Sequence, residues 1–192
     1  MINYSEVRAE LIRKALHVLI ALVPFLASFN SSNTALLLLG GVFLYITAES
    51  LRYLGFTLPL ISPLTEAVLR RRELGHFALG PVTLGLGALL ALILFPLKEA
   101  SVAIYALAFG DSAATLAGKF LGRVRPPFMA GKSLEGSLAC FAASALVGFL
   151  VTGDWKKALA IGLAATLAET LPFRDFDNLI LPLAAGLAAY FC

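Results

Sequence analysis

The sequence has little charge for its length. Only 14% of its 192 residues are Asp, Glu, Lys or Arg, where a soluble domain carries about 25%. It has one Trp, two His and two Cys. Two cysteines, Cys140 inside an apolar run and Cys192 at the last position, are too few for a disulfide framework and read as unpaired small apolar side chains. There is no basic soluble module to lie on a duplex, so nucleic acid is excluded as a partner. No inverted repeat of the transporter kind is present. No clean small-residue cleavage site follows the first apolar run, and Glu6 and Glu10 accompany Arg8, Arg13 and Lys14 before it. That run is therefore expected to be a retained span, not a signal peptide.

What the chain has in abundance is hydrocarbon: 59% of its residues are hydrophobic, and the mean hydropathy is +0.88. A spanning helix needs roughly 20 largely apolar residues. Seven stretches qualify or nearly qualify, near 11–29, 33–54, 77–96, 99–120, 134–152, 156–172 and 178–192, the last two being short. They predict an all-α, polytopic transmembrane bundle of about seven spans forming one domain over residues 1–192. Between the second and third spans, Phe56 to Gly75 contains Pro59, Pro63 and the run Arg70-Arg71-Arg72. It is expected to form an amphipathic helix lying at the interface.

Orientation follows from the basic residues in the loops. With the N-terminus in the cytoplasm, twelve of the fifteen Lys and Arg fall inside, leaving only Lys98, Lys156 and Lys157 outside. Among the acids, Glu99 and Asp154 fall outside, whereas Glu10, Glu49, Asp111, Glu135, Glu169, Asp175 and Asp177 fall at cytoplasmic ends. One membrane face thus holds nearly every ionisable group. The chemistry is expected there.

Charged groups inside spans cost roughly 2.5–3.5 kcal/mol each on insertion scales and point to function. Glu49 has Arg52 three residues on, within pairing reach. Asp111 has no basic residue one turn along its own helix, and its face continues through Thr115, Gly118 and Gly122, small groups that admit a close helix neighbour. A homo-oligomer is one way to supply that neighbour. In the first span, Glu10, Arg13, Lys14 and His17 form a polar stripe at three- and four-residue steps. Lys14 and His17 are candidates for meeting an anionic headgroup.

The loop from Gly118 to Ser137 carries Lys119, Arg123, Arg125 and Lys132 among the glycines 118, 122, 131 and 136 and the pair Pro126-Pro127. Glycines let a backbone approach a phosphate, and Lys and Arg neutralise it. Ser133 is placed to cap the fifth span, whose amides then face an anion. Gly131-Lys132-Ser133 has the ending of a Walker A loop, but Pro126 stands where its first glycine belongs. Acids flanking a basic loop suit Mg²⁺ bridging phosphate oxygens. Asp175 and Asp177, in the connection to the last span, bring further carboxylates.

These motifs resemble those of the CTP-dependent lipid-alcohol kinases, the family of dolichol kinase, phytol kinase and the CTP-dependent diacylglycerol kinase. The likeness rests on Gly110-Asp111-Ser112-Ala113-Ala114, Gly118-Lys119, Gly122-Arg123 and Lys132-Ser133-Leu134-Glu135-Gly136-Ser137. It continues in Glu169-Thr170-Leu171-Pro172 and Asp177-Asn178-Leu179 with Pro182, and upstream in Glu10, Arg13-Lys14 and His17. It departs from dolichol kinases at Pro126-Pro127, where a Trp-Pro pair is frequent. The resemblance implies transfer of the CTP γ-phosphate to a membrane lipid alcohol with a divalent cation, Mg²⁺ or another, releasing CDP. Asp111, Glu169 and Glu135 would be the catalytic acids, with Asp111 and Asp177 on the metal. Lys119, Gly122, Arg123, Gly131, Lys132 and Ser133 would hold the nucleotide. Lys14, His17 and Asn178 would face the lipid headgroup. A cytidylyltransferase acting on a lipid phosphate, and a small transporter, are the competing expectations.

Overall fold

The computed structural model describes residues 4–56, 63, 65, 76–129, 131–172 and 176–192. The stretch expected to form the interfacial helix lies almost wholly outside them, as do Arg174 and Asp175. The described residues form an all-α bundle. The first span is α1 (Tyr4–Leu19), a 3₁₀ turn (Ile20–Leu22) and α2 (Val23–Phe29). Asn30 then turns the chain, its side chain accepting from the Asn33 amide at 2.9 Å to cap α3 (Ser31–Tyr53). Next come α4 (Gly80–Leu94) and α5 (Leu97–Tyr105), the latter running through a π-helical turn (Ala106–Gly110) into α6 (Asp111–Phe120). The last three helices are α7 (Leu134–Thr152), α8 (Trp155–Thr170) and α9 (Asp177–Phe191).

Each of the seven expected spans is helical. By length and apolarity four stretches suffice to cross a membrane: Arg8–Phe29, Ser31–Tyr53, Leu97–Phe120 and Leu134–Thr152. α4 and α9 are apolar but have 15 residues each, and α8 has 16. At 1.5 Å per residue these reach only about 22–24 Å, short of a hydrocarbon core of about 30 Å.

Small residues set the packing, as between helices in lipid, where close backbone approach replaces hydrophobic burial as the driving force. α7 and α8 run antiparallel from Gly153, whose φ of 73° ends α7, and Asp154, whose carboxylate caps α8 through the Lys156 amide at 2.8 Å. Gly148 lies against Ala158 and Ile161, and Gly162 against Phe141 and Ala145. The centre is fully enclosed at Val102, Ile104, Leu107, Cys140, Ile161 and Leu181. Cys140 and Cys192 are unpaired. Outside, Phe29, Leu37, Phe43, Leu150 and Phe191 stand 70% or more exposed, which is the surface of a protein solvated by lipid.

Glu49 is buried and salt-bridged. Arg52 donates to both its oxygens at 2.6 and 2.7 Å, and the Ala78 amide donates at 2.8 Å. The pairing expected of the two side chains is present, and it ties the end of α3 to the start of α4.

Candidate active site

Asp111 opens α6 directly after the π-helical turn, where one extra residue re-phases the helix face that follows. Gly110 lets that turn lie against Cys140 and Ser144 of α7. Asp111 lacks a partner on its own helix, and α1 supplies two. The Lys14 ammonium donates to Asp111 Oδ2, and His17 Nδ1 lies 3.1 Å from the same oxygen. Lys14 and His17 are buried, so the carboxylate and its partners form one desolvated unit.

Lys132 makes a second cluster. Gly131 adopts φ +86°, the left-handed region that costs any side-chain-bearing residue, and so turns the loop back toward the bundle. The Lys132 ammonium then sits 2.9 Å from Asp177 Oδ2 and 3.4 Å from Glu169 Oε1. It also donates to the backbone carbonyls of Glu169 and, at 3.3 Å, Leu171. Ser137 Oγ donates to Glu169 Oε2 at 3.4 Å. One side chain thereby joins the end of α8, the start of α9 and the basic loop. Asp177, expected in the preceding connection, is the first residue of α9.

The two clusters share one cavity of about 630 Å³, lined by polar and charged groups including Glu10, Asp111, Lys119, Lys132, Glu169 and Asp177. Gly131 and Ser133 also line it. Ser133 caps α7, its Oγ accepting from the Gly136 amide at 3.1 Å, as its position in the sequence implied. Along α6 the lining runs from Asp111 to Lys119, about 12 Å at helical rise.

The remaining candidates lie elsewhere. Glu135, expected as a catalytic acid, is not in the lining. Its carboxylate accepts from the Arg123 and Val124 amides at 2.9 and 3.2 Å, holding the basic loop against the first turn of α7. Arg123 is likewise outside the lining. Gly122 packs on the loop's own serine: a Cβ there would lie 2.7 Å from Ser133 Oγ. At Gly118 and Gly122 the small face of α6 lies against Ser133 and Gly136 at the start of α7 of the same chain. Asn178 faces α4, its amide donating to Thr83 Oγ1 at 3.0 Å and to the Gly80 carbonyl at 3.3 Å.

Two charged residues enter the site that the sequence did not assign to it. Glu10 lines the cavity, 3.2 Å from Arg13 and 3.7 Å from Lys119; the polar stripe of α1 was its signal. Arg125 donates to the carbonyls of Gly131 and, at 2.8 Å, Gly118, pinning both ends of the loop.

A divalent cation fits this lining by donor chemistry. Asp177 Oδ1 is buried without a hydrogen-bond partner among the described residues, beside Glu169 in the same cavity. Among the described residues no three His, Cys, Asp or Glu side chains gather into a cage. One or two carboxylates completed by phosphate oxygens is the way proteins ordinarily hold Mg²⁺.

Fold and cavity together define an all-α membrane protein with acids and bases convergent in one polar recess. The chain is 30% identical over 206 residues to "Probable phytol kinase 1, chloroplastic" of Oryza sativa subsp. japonica, covering 96% of this chain and 65% of the rice protein. It is 28% identical over 205 residues to "Probable phytol kinase, chloroplastic" of Triticum aestivum, covering 96% of this chain and 68% of the relative. To "Phytol kinase 1, chloroplastic" of Arabidopsis thaliana it is 27% identical over 211 residues, 97% of this chain and 67% of the relative. The chain thus spans about two thirds of the length of these relatives. No family model and no solved structure matches it. Over nearly its whole length the chain is similar to these phytol kinases, as its sequence motifs led one to expect.

Proposed function

We propose that this protein phosphorylates a membrane lipid alcohol, phytol-like or polyprenol-like, with CTP as donor, releasing CDP at the cytoplasmic face. The observation that carries the reading is the single recess in which Lys119 and Lys132 stand beside Asp111, Glu169 and Asp177, in a chain akin to phytol kinases over nearly its whole length. The cytoplasmic assignment rests on the twelve-to-three division of basic residues.

Phosphoryl transfer asks mainly for positioning and charge neutralisation. The hydroxyl oxygen of the alcohol attacks the γ-phosphorus. Its new O–P bond forms as the bond from that phosphorus to the β–γ bridging oxygen breaks, and CDP leaves with the electron pair. The hydroxyl proton passes to a cavity carboxylate, Asp111 or Glu169. Lys119 and Lys132 neutralise the phosphates, and Gly131 and Ser133 bring the loop backbone near them. Mg²⁺, when bound, supplies further charge neutralisation; Asp177 with Asp111 or Glu169 would hold it. Lys14 and His17 fix the Asp111 carboxylate.

The test is product analysis. Purified protein with γ-labelled CTP or ATP, Mg²⁺ and a panel of alcohols beginning with phytol is expected to yield labelled lipid monophosphate and CDP. Pyrophosphate and a CDP-lipid from a lipid phosphate would instead make it a cytidylyltransferase. No labelled lipid from any alcohol would end the reading.

A further inference from the structure

The face of the first span that carries the polar stripe continues past His17 as an apolar one. Glu10 lines the polar cavity, and Lys14 and His17 hold Asp111. At the same three-residue step Ile20, Val23 and Leu26 follow, and these line a second, apolar cavity of about 320 Å³ closed by α3 and α4. Its volume falls within the range of about 300–1,000 Å³ typical of small-molecule sites. Along α3 it runs from Thr34 to Tyr45, about 16 Å at helical rise. Small residues make the trough. Gly85 packs on Val42, forming part of its floor, and a Cβ at Gly41 would meet nothing within 4 Å.

We infer that this groove seats the hydrocarbon chain of the acceptor alcohol, an assignment that rests on the alcohol-kinase reading. Bulk lipid is the competing occupant, and two features favour the alcohol. The groove ends at Ile20, one turn from His17, so a chain lying in it delivers its head group toward Asp111. At that end Lys14 is already neutralised by Asp111. A phosphodiester head group would bring a negative charge up to a carboxylate, whereas a neutral hydroxyl brings a donor to an acceptor.

Gly41 makes the test clean, because a side chain added there fills the groove without striking the bundle. Gly40, its neighbour on α3, also has open space around it but is not part of the lining, and serves as the control. The full chain in lipid nanodiscs is photolabelled with phytol carrying a mid-chain diazirine, and labelled peptides are mapped. Label is expected on 20–26 and 37–45, competed by plain phytol. Gly41→Phe and the smaller Gly41→Leu should weaken that competition at least about tenfold, the effect of keeping two methylenes out of the groove, with Gly40→Phe unchanged. Label elsewhere, label untouched by Gly41→Phe, or equal label from a diazirine phosphatidylcholine that phytol does not displace, each overturns the assignment. The readout needs no turnover. Competed groove labelling in a protein that phosphorylates no alcohol would uphold the site and sink the kinase reading, and phosphorylation with labelling elsewhere would do the reverse.

Discussion

Replacing Lys132 by Ala removes an ammonium from between two carboxylates, and its two consequences separate experimentally. Lys132 lies 2.9 Å from Asp177 and 3.4 Å from Glu169, with the three side chains 23%, 16% and 11% exposed respectively. Taking one partner from a fully buried pair costs about 3–5 kcal/mol. Solvent reaches this one, so a loss on the order of 2 kcal/mol is expected, or roughly 4–8 °C in melting temperature for a chain of this size. Nucleotide binding loses a charged contact to phosphate worth about 1.5–3 kcal/mol, so CTP affinity should fall about 10- to 100-fold. Thermal unfolding in detergent reads the first effect, and equilibrium binding of a fluorescent CTP analogue reads the second. Adding Asp177→Asn to Lys132→Ala relieves one of the two stranded charges and should recover part of the stability without recovering affinity. Unchanged CTP affinity in Lys132→Ala would refute the assignment of this lysine to phosphate.

Asp111→Asn should abolish phosphorylation and also destabilise by about 3 kcal/mol, because it strands the buried Lys14 ammonium. Lys14→Met added to it should restore the melting temperature but no activity, and restored turnover would exclude Asp111 from the chemistry. Gly131→Ala meets open space, yet its φ of +86° should cost about 1–2 kcal/mol in the loop, read as a raised KM for CTP with little change in kcat. Glu49→Gln breaks a buried bidentate pair that is not part of the polar cavity's lining. It should lower the melting temperature by several degrees while leaving kcat/KM of the surviving enzyme intact, and a selective loss of kcat would show that α3 and α4 communicate with the site.

The sequence alone determined that this is a helical membrane protein, since apolar runs of spanning length and a scarcity of charge leave no soluble fold. It also determined which residues are chemically costly. Asp111 and Glu169 stand out because charge in hydrocarbon must be matched by function or a partner, and Lys132 because it falls in a glycine-rich basic loop. The cap at Ser133 and the Glu49–Arg52 pair were legible too, being local interactions fixed by helix geometry over three residues. Only the tertiary structure decided who meets whom. Lys14 reaches Asp111 across 97 positions of sequence, and Lys132 reaches Asp177 across 45. A helical repeat says which residues share a face, but not which face of another helix lies opposite. For the same reason the sequence could not foretell that Glu135 accepts from loop amides or that Asn178 faces α4. Long-range pairing is a property of how small residues let particular helices approach, and that emerges when the whole bundle closes.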